Sequence, residues 1–515
     1  MMYKVNAVNR KIPNKIANYK DVVVYSGELK QPKERKIGAA IRVGKKEDKL
    51  VSSIKDAIIK SGLKDGMTIS FHHHFRSGDY ILNLVLEEIS KLGIKNLCVA
   101  ASSLSTCHKP LIEHIKNGVV TSLQTSGLRE PLGSFISNGG LKTPVIIRSH
   151  GGRARAIEDG SLKIDVAFIG APSCDKFGNL NGYTGKSACG SLGYAKVDAM
   201  YANKVIAITD NLVDGINLPA SIDQTMVDFV CEIESIGDPK GIVSGAIRFN
   251  DNPRDILIAE NALKCILASG LFKNGFSFQT GAAGASLAVT KLLKEEMIKH
   301  NITASLGVGG ITAALVDLHE NGLMDALFDT QSFDLDAVSS LAKNPKHYEI
   351  SASFYANPNL VTPAVNQLDF VMLGALEIDT NFNVNVITTS TGVINQAIGG
   401  HQDTAEGAKI AMILAPLIRA RIPIVVDNVS TICTPGANVD VVCTDYGIAV
   451  NPKRTDLIEN FTKAGIKLYT IEELKEMAEK ITGKPASIKF GDEVVGVVEY
   501  RDGSVLDVIY KSLQN

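Results

Sequence analysis

A repeat constrains this chain more than any other feature of it. Ile164-Asp165-Val-Ala-Phe-Ile-Gly170-Ala171 is answered by Leu368-Asp369-Phe-Val-Met-Leu-Gly374-Ala375, an offset of 204 residues (164 against 368). At the same offset Asp175, Asn179 and Asn181 fall opposite Asp379, Asn383 and Asn385. A second unit repeats in the same order. A turn at Asp65-Gly66, a strand over 67–71, a helix over 79–92 and a strand over 96–100 are echoed by Asn274-Gly275, 276–279, 285–299 and 302–306. Strands alternating with amphipathic helices of this length predict βαβ units and parallel sheets. The expected fold is therefore α/β, with two pseudo-symmetric domains of mainly parallel sheet and a cleft between them. Loop formers at Gly237, Asp238, Pro239, Gly241 and Asn252-Pro253 place the division. The expected segments are an N-terminal arm over 1–50, a first domain over 51–240 and a second over 241–515. Ligands of open parallel sheets sit beyond the carboxyl ends of the strands, so the loops there are the candidate site.

Charge excludes some partners. Lys and Arg number 54 against 55 Asp and Glu, a net charge of -1, which argues against nucleic acid or an anionic membrane held by bulk electrostatics. The 8 cysteines include no CxxC pair, so a zinc ribbon or thioredoxin-type site is not expected and the thiols read as reduced. The first residues carry no apolar signal region, and no run approaches 18 apolar residues. The longest, Ile410 to Ile418, is read in a helical context. A cytoplasmic protein is expected.

Several motifs invite chemistry and most decline it. Gly182-Tyr-Thr-Gly185-Lys186-Ser187 has Leu180 where a phosphate loop needs its first glycine, and Gly307 and Gly309 are followed by Thr312 where a dinucleotide fingerprint needs its third. His72-His73-His74 alternate in direction at a strand end and cannot converge on one metal ion. They line a cleft mouth, or one of them meets an anion. Arg129, Arg148, Arg153 and Arg155 lie among glycines, which suits bidentate binding of a small polycarboxylate but also suits a plain surface loop. In the second half Gln279-Thr-Gly281, Gly307-Val-Gly309-Gly310 and Gly399-Gly400-His401-Gln402-Asp403 follow predicted strands. Paired glycines there supply oxyanion donors, or a path for an extended thioester arm, or simple turns.

Taken in order, Gln279-Thr-Gly281, Gly309-Gly310, Asp329-Thr-Gln331-Ser-Phe333-Asp334, Leu373-Gly-Ala-Leu-Glu377-Ile-Asp379, Phe382-Asn-Val-Asn-Val and Gly399-Gly-His-Gln-Asp-Thr404 resemble the alpha subunit of citrate lyase. Ser149-His-Gly-Gly-Arg153 and Gly447-Ile-Ala-Val-Asn-Pro452 share the likeness, which spans roughly residues 20 to 515. The doubled layout is more distantly similar to the CoA-transferase superfamily.

That resemblance implies a transferase. The acetyl group on a carrier protein's phosphoribosyl-dephospho-CoA arm, or on CoA, is exchanged for citrate, giving a citryl thioester and acetate. It implies a gamma carrier subunit, a lyase beta subunit, a homo-oligomer within a larger complex, and no group bound covalently to this chain. Many CoA-transferases use a glutamate nucleophile, but no carboxylate occurs from Thr303 to Val316. That absence fits the direct attack by a citrate carboxylate which the resemblance implies. On this reading Gln279, Gly309 and Gly310 line the reacting carbonyl. His72, Ser102, Ser103, Arg129, Gly152 and Arg153 hold citrate. Gly374, Asn383, Gly400, His401 and Asp403 shape the channel for the arm. The alternatives are a conventional acetate or dicarboxylate CoA-transferase using a carboxylate such as Glu377 or Asp379, a citramalate-specific homologue, or a non-catalytic sensor.

Overall fold

The computed structural model describes residues 2–28, 49–243, 252–281 and 284–513. Two large sheets dominate. In the first, the order is Val505–Ser512, Phe490–Glu499, Val145–Ile147, Val120–Thr125, Leu97–Ala101, Thr68–Phe71, Val166–Ala171, Lys204–Thr209, Phe229–Glu232 and Leu50–Val51. All these strands run parallel except Val505–Ser512. In the second, the order is His347–Glu349, Met324–Ser332, Ala304–Ile311, Ser277–Thr280, Phe370–Gly374, Ile410–Leu414, Val441–Cys443, Ile448–Val450 and Leu468–Tyr469.

Val145–Ile147 through Phe229–Glu232 match His347–Glu349 through Val441–Cys443 strand for strand, in the same spatial order. Each half also carries a small satellite sheet built on the repeated Asp-Asn-Asn segment: Ser173–Asp175 with Leu180–Asn181 and Leu212–Val213, and Glu377–Asp379 with Val384–Asn385 and Val425–Val426. Asp175 Oδ1 accepts the backbone N–H groups of Phe177, Gly178 and Asn179. Asp379 Oδ1 does the same for Asn381 and Asn383. The side chains mimic a turn's own hydrogen bonds, so the repeated polar residues are turn formers.

Helices pack on both faces for the usual reason. Helix Ile81–Lys91 buries Ile81, Leu82, Val85, Leu86 and Ile89 on one stripe. The central strands are buried on both sides, as parallel strands between helix layers must be. This corrects one expectation: the apolar run from Ile410 is a strand, Ile410–Leu414, with every residue buried. A continuous apolar run in a doubly covered strand has no period by which to tell it from a buried helix.

A second correction concerns the domain boundary. Residues 490–512 were expected in the second domain, but this hairpin pairs in parallel with Val145–Ile147 and extends the first sheet. Part of the arm over 1–50 joins it there. Tyr3–Val5 and Lys11–Pro13 form a small hairpin, and Ile12, Ile16 and Val22 pack with Val497, Val505 and Val508. Leu50–Val51 forms the sheet's opposite edge, and helix Ile54–Ser61 starts at Ser53, whose side chain accepts from the Asp56 N–H. The rest of the expected arm, 29–48, lies outside the described residues.

Candidate active site

The carboxyl ends of the strands in both sheets face one seam. Strand order changes direction between Thr68–Phe71 and Val166–Ala171, and again between Ser277–Thr280 and Phe370–Gly374. These switch points are where α/β sheets open a crevice. The loops leaving them carry His72-His73-His74 on one side and Gly281 and Gly374 on the other. Backbone bonds stitch the seam: Ile398 N donates to Ser126 O at 2.8 Å and His150 N to Gly399 O at 2.9 Å. Gln331, from the Asp-Thr-Gln-Ser-Phe-Asp segment, donates to His73 O at 2.9 Å, and Ser191 donates to Asp329 O at 2.8 Å.

On the second-half side the reacting-carbonyl candidates meet. Gly309 has φ +101, and a Cβ there would stand 2.9 Å from the Gln279 amide. Between Gly309 and Gly310 the register to strand Met324–Ser332 shifts, a bulge of the kind that re-aims groups beside active sites. Gln279 Nε2 is 3.1 Å from Tyr355 Oη, and Gly310 lies against the Phe333 ring. Gly400 faces Tyr355 Oη so closely that a Cβ would come within 2.5 Å of it. Gln279, Gly309 and Gly400 thus converge on one aromatic wall.

A cavity of about 570 Å³ opens at Gly374 and His401. Its walls include Gly374, His401, Gln396, Arg254, Arg419 and the first residues of helix Gly284–His300. Gly374 meets nothing within 4 Å of a built Cβ, so its backbone is open to the cavity. His401 Nε2 donates to Gly374 O at 3.0 Å, since a carbonyl can only accept, and Nδ1 accepts from Thr434 Oγ1 at 2.7 Å. Burial lowers this imidazole to about 4, so it is a neutral strut near pH 7.

The first-half residues divide. Ser102 is fully buried, accepts from His73 N at 3.0 Å and lies 2.6 Å from His73 Nδ1. Ser103 beside it is half-buried. Arg129, half-buried, donates to Gln396 across the seam. His73, His150 and Tyr194 stack with centroids 4.3–5.5 Å apart. His72 and Arg153 are placed otherwise than expected. Arg153 puts Nη1 and Nη2 on the two Asp198 oxygens at 2.7 Å each and gives Nη2 to Ala100 O as well. His72 Nε2 stands 3.1 Å from the same carboxylate without hydrogen-bond alignment. Burial opposes ionisation of Asp198, yet Arg153 and then His72 outweigh it and hold the carboxyl below the usual range. This buried pair leaves Arg153 no free fork for a substrate.

Three further expected residues serve the scaffold. Gly152 sits in helix His150–Glu158, and its N–H caps onto Ser149 Oγ at 3.0 Å. Asp403 is fully buried and accepts from Ser149 Oγ, Gly151 N and Arg501 Nε at 2.8–3.0 Å, tying both halves to the C-terminal hairpin. Asn383 donates to Asp379 and accepts from Gly436 N. Glu377 accepts from Asn385 and Ser430 and is likewise a structural acid. Tyr194, Tyr355 and Gln396 escaped sequence reading because isolated aromatic or amide side chains carry no spacing signal. Among the described residues no three His, Cys, Asp or Glu side chains are grouped for a metal ion, and no helix is long and apolar enough to cross a membrane.

Comparison with known proteins agrees with this architecture. The family model for the citrate lyase alpha subunit (CitF) matches residues 47–512. The citrate lyase alpha chain of Haemophilus influenzae is 56% identical over 466 residues, 90% of this chain and 93% of that one. That of Klebsiella pneumoniae is 54% identical over 498 residues, covering 97% and 96%. Among solved structures, the citrate lyase alpha subunit of Streptococcus mutans in complex with citrate superposes with TM-score 0.95 at 54% identity, covering 99% of this chain and 100% of that one. A Pseudomonas malonate decarboxylase hetero-tetramer chain shares the fold alone, at TM-score 0.63 and 14% identity. The family model spans residues 47–512 and the two alpha chains are 54–56% identical over at least 90% of the sequence, so the chain belongs to the family of citrate lyase alpha subunits.

Proposed function

We propose that this seam carries out acyl exchange between an acetyl thioester and citrate, the activity of a citrate lyase alpha subunit. The observation that carries the residue-level reading is the meeting of Gln279 with Tyr355 and with the left-handed Gly309; the cavity of about 570 Å³ lined by Gly374, His401, Arg254 and Arg419 offers the arm its path. A thioester arm runs along Gly374 and His401, its phosphates toward the arginines, and brings its carbonyl to Gly309 and Gln279. A citrate carboxylate oxygen attacks that carbonyl and the thiolate leaves, forming a mixed acetic-citric anhydride. The thiolate then attacks the citryl carbonyl and acetate departs. Charge and protons balance without a protein acid or base. The chain's contribution is to hold two anions together and to stabilise the oxyanion.

The arm belongs to a carrier (gamma) subunit in the cytoplasm, with free CoA as a smaller substitute, and a beta subunit cleaves the citryl thioester. Mass spectrometry of the purified chain with acetyl-CoA and citrate is the test. Citryl-CoA and acetate with an unchanged chain mass support direct attack. A chain carrying an acyl or CoA adduct that hydroxylamine removes supports the conventional carboxylate-nucleophile route instead.

A further inference from the structure

Arg76 holds an unusual position at the seam. It follows the three histidines and adopts φ +51, a left-handed backbone that non-glycine residues occupy only at a cost. Its guanidinium crosses to the second half and lies 4.5 Å over the Phe333 ring. Phe333 is the ring against which Gly310 packs. Arg76 thus covers the face of the ring whose edge meets Gly310. Among the described residues neither Arg76 nor Arg129 has a carboxylate at ion-pair distance. Among those residues the Arg76 guanidinium donates one long 3.3 Å bond, to Ile242 O, and Arg129 meets the neutral Gln396 amide. By contrast Arg148, Arg153, Arg155 and Arg501 are all paired with acids. Burial first, and the charge of Arg129 second, bring the Arg76 guanidinium down to about 10. Two desolvated cations that repel each other and lack an acid are a standing cost that a bound polyanion would offset.

We propose that Arg76 is a citrate-binding residue, and that with Arg129 it forms a two-guanidinium clamp. The clamp engages the carboxylates of citrate and leaves one free to face the thioester carbonyl beside Gly309. This rests on the transferase reading above and extends it to a residue pair. The Phe333 ring fixes the fork's plane, which suits bidentate carboxylate binding. A substrate with several carboxylates gains from both cations, whereas acetate gains from one, so product release is favoured over its re-entry.

Titration calorimetry with citrate, and steady-state kinetics with acetyl-CoA, test this on the full chain. Arg76→Gln should weaken citrate binding and raise its KM by about ten- to a hundredfold, the loss expected for one charge-assisted pair. The KM for acetyl-CoA should stay within about twofold, a change of no weight beside tenfold steps in affinity. Arg76→Lys keeps the charge without the fork and should fall between the two. It also carries the test should the glutamine variant fail to fold. Wild-type citrate affinity in a folded Arg76→Gln or Arg76→Lys chain would overturn the clamp while leaving the transferase intact. Absence of citrate binding and turnover in the wild-type chain would overturn the transferase reading itself.

Discussion

At the scale of single residues, geometry reverses the role expected of Arg153. Its glycine-rich surroundings advertise an anion site, but the partner that occupies it, Asp198, lies 45 residues away and has no local signature. Arg153→Ala should therefore act through stability. Removing the guanidinium leaves a buried carboxylate facing only His72, a loss of about 3–5 kcal/mol. Denaturant unfolding should show it, and a variant of native stability with a raised citrate KM would restore the substrate-clamp role. Gly309 has the opposite standing. Its φ of +101 strains any side chain, and a valine would drive its branches into the Gln279 amide. Gly309→Val should lower kcat/KM by at least about a hundredfold, comparable to losing one oxyanion donor, while the strained backbone costs about 1–3 kcal/mol and leaves the chain folded. Full activity in a soluble variant would remove this bulge from the chemistry.

At the scale of elements, the paired strands were legible wherever local pattern reports them. The Ile164 and Leu368 octets carry central strands of the two sheets, Val166–Ala171 and Phe370–Gly374, buried except at Gly374, and the helix over Ile81–Lys91 declares itself by its stripe. The hairpin Phe490–Glu499 and Val505–Ser512 was read into the wrong half. Pairing with a strand some 350 residues upstream is a tertiary event that periodicity cannot encode. What holds it there is concentrated at Glu499, which accepts from Tyr19 Oη at 2.5 Å and Arg148 Nε at 2.6 Å, with Lys20 at 3.1 Å and Arg155 at 3.6 Å. Burial opposes its ionisation, but Arg148 and then Lys20 bring the carboxyl down to about 2. A depressed carboxylate stabilises the fold above its unfolded value near 4.5, and that contribution fades as pH falls toward 2. Glu499→Gln should cost several kcal/mol at pH 7, on the order of 3–5 for a broken buried charge cluster. The gap between variant and wild type should narrow below about pH 4.5, the unfolded reference. A pH-independent gap in chemical denaturation would mean the site is held by packing alone.

At the scale of the whole molecule, the two halves are similar in plan but not independent in construction. The chain builds the first sheet, crosses to build the second, and returns to finish the first. The turn between its last strands carries Arg501, whose Nε meets Asp403 of the second half while Nη2 donates to Ala356 O. The hairpin is therefore both the edge of one sheet and a tie across the seam that holds the site. A chain ending after Gly483 would leave strand Val145–Ile147 an unprotected edge, with Arg148 and Asp403 buried beside no partner from the missing segment. The second sheet loses no strand by that truncation. Hydrogen exchange should then show protection lost across the first sheet and the 399–407 segment, and retained in Phe370–Gly374 and Ile410–Leu414, with transfer activity abolished. Equal loss in both sheets would mean that the halves fold as one cooperative unit. Native protection throughout would show that the first half closes its core without the returning hairpin, and would reduce that hairpin to a surface addition.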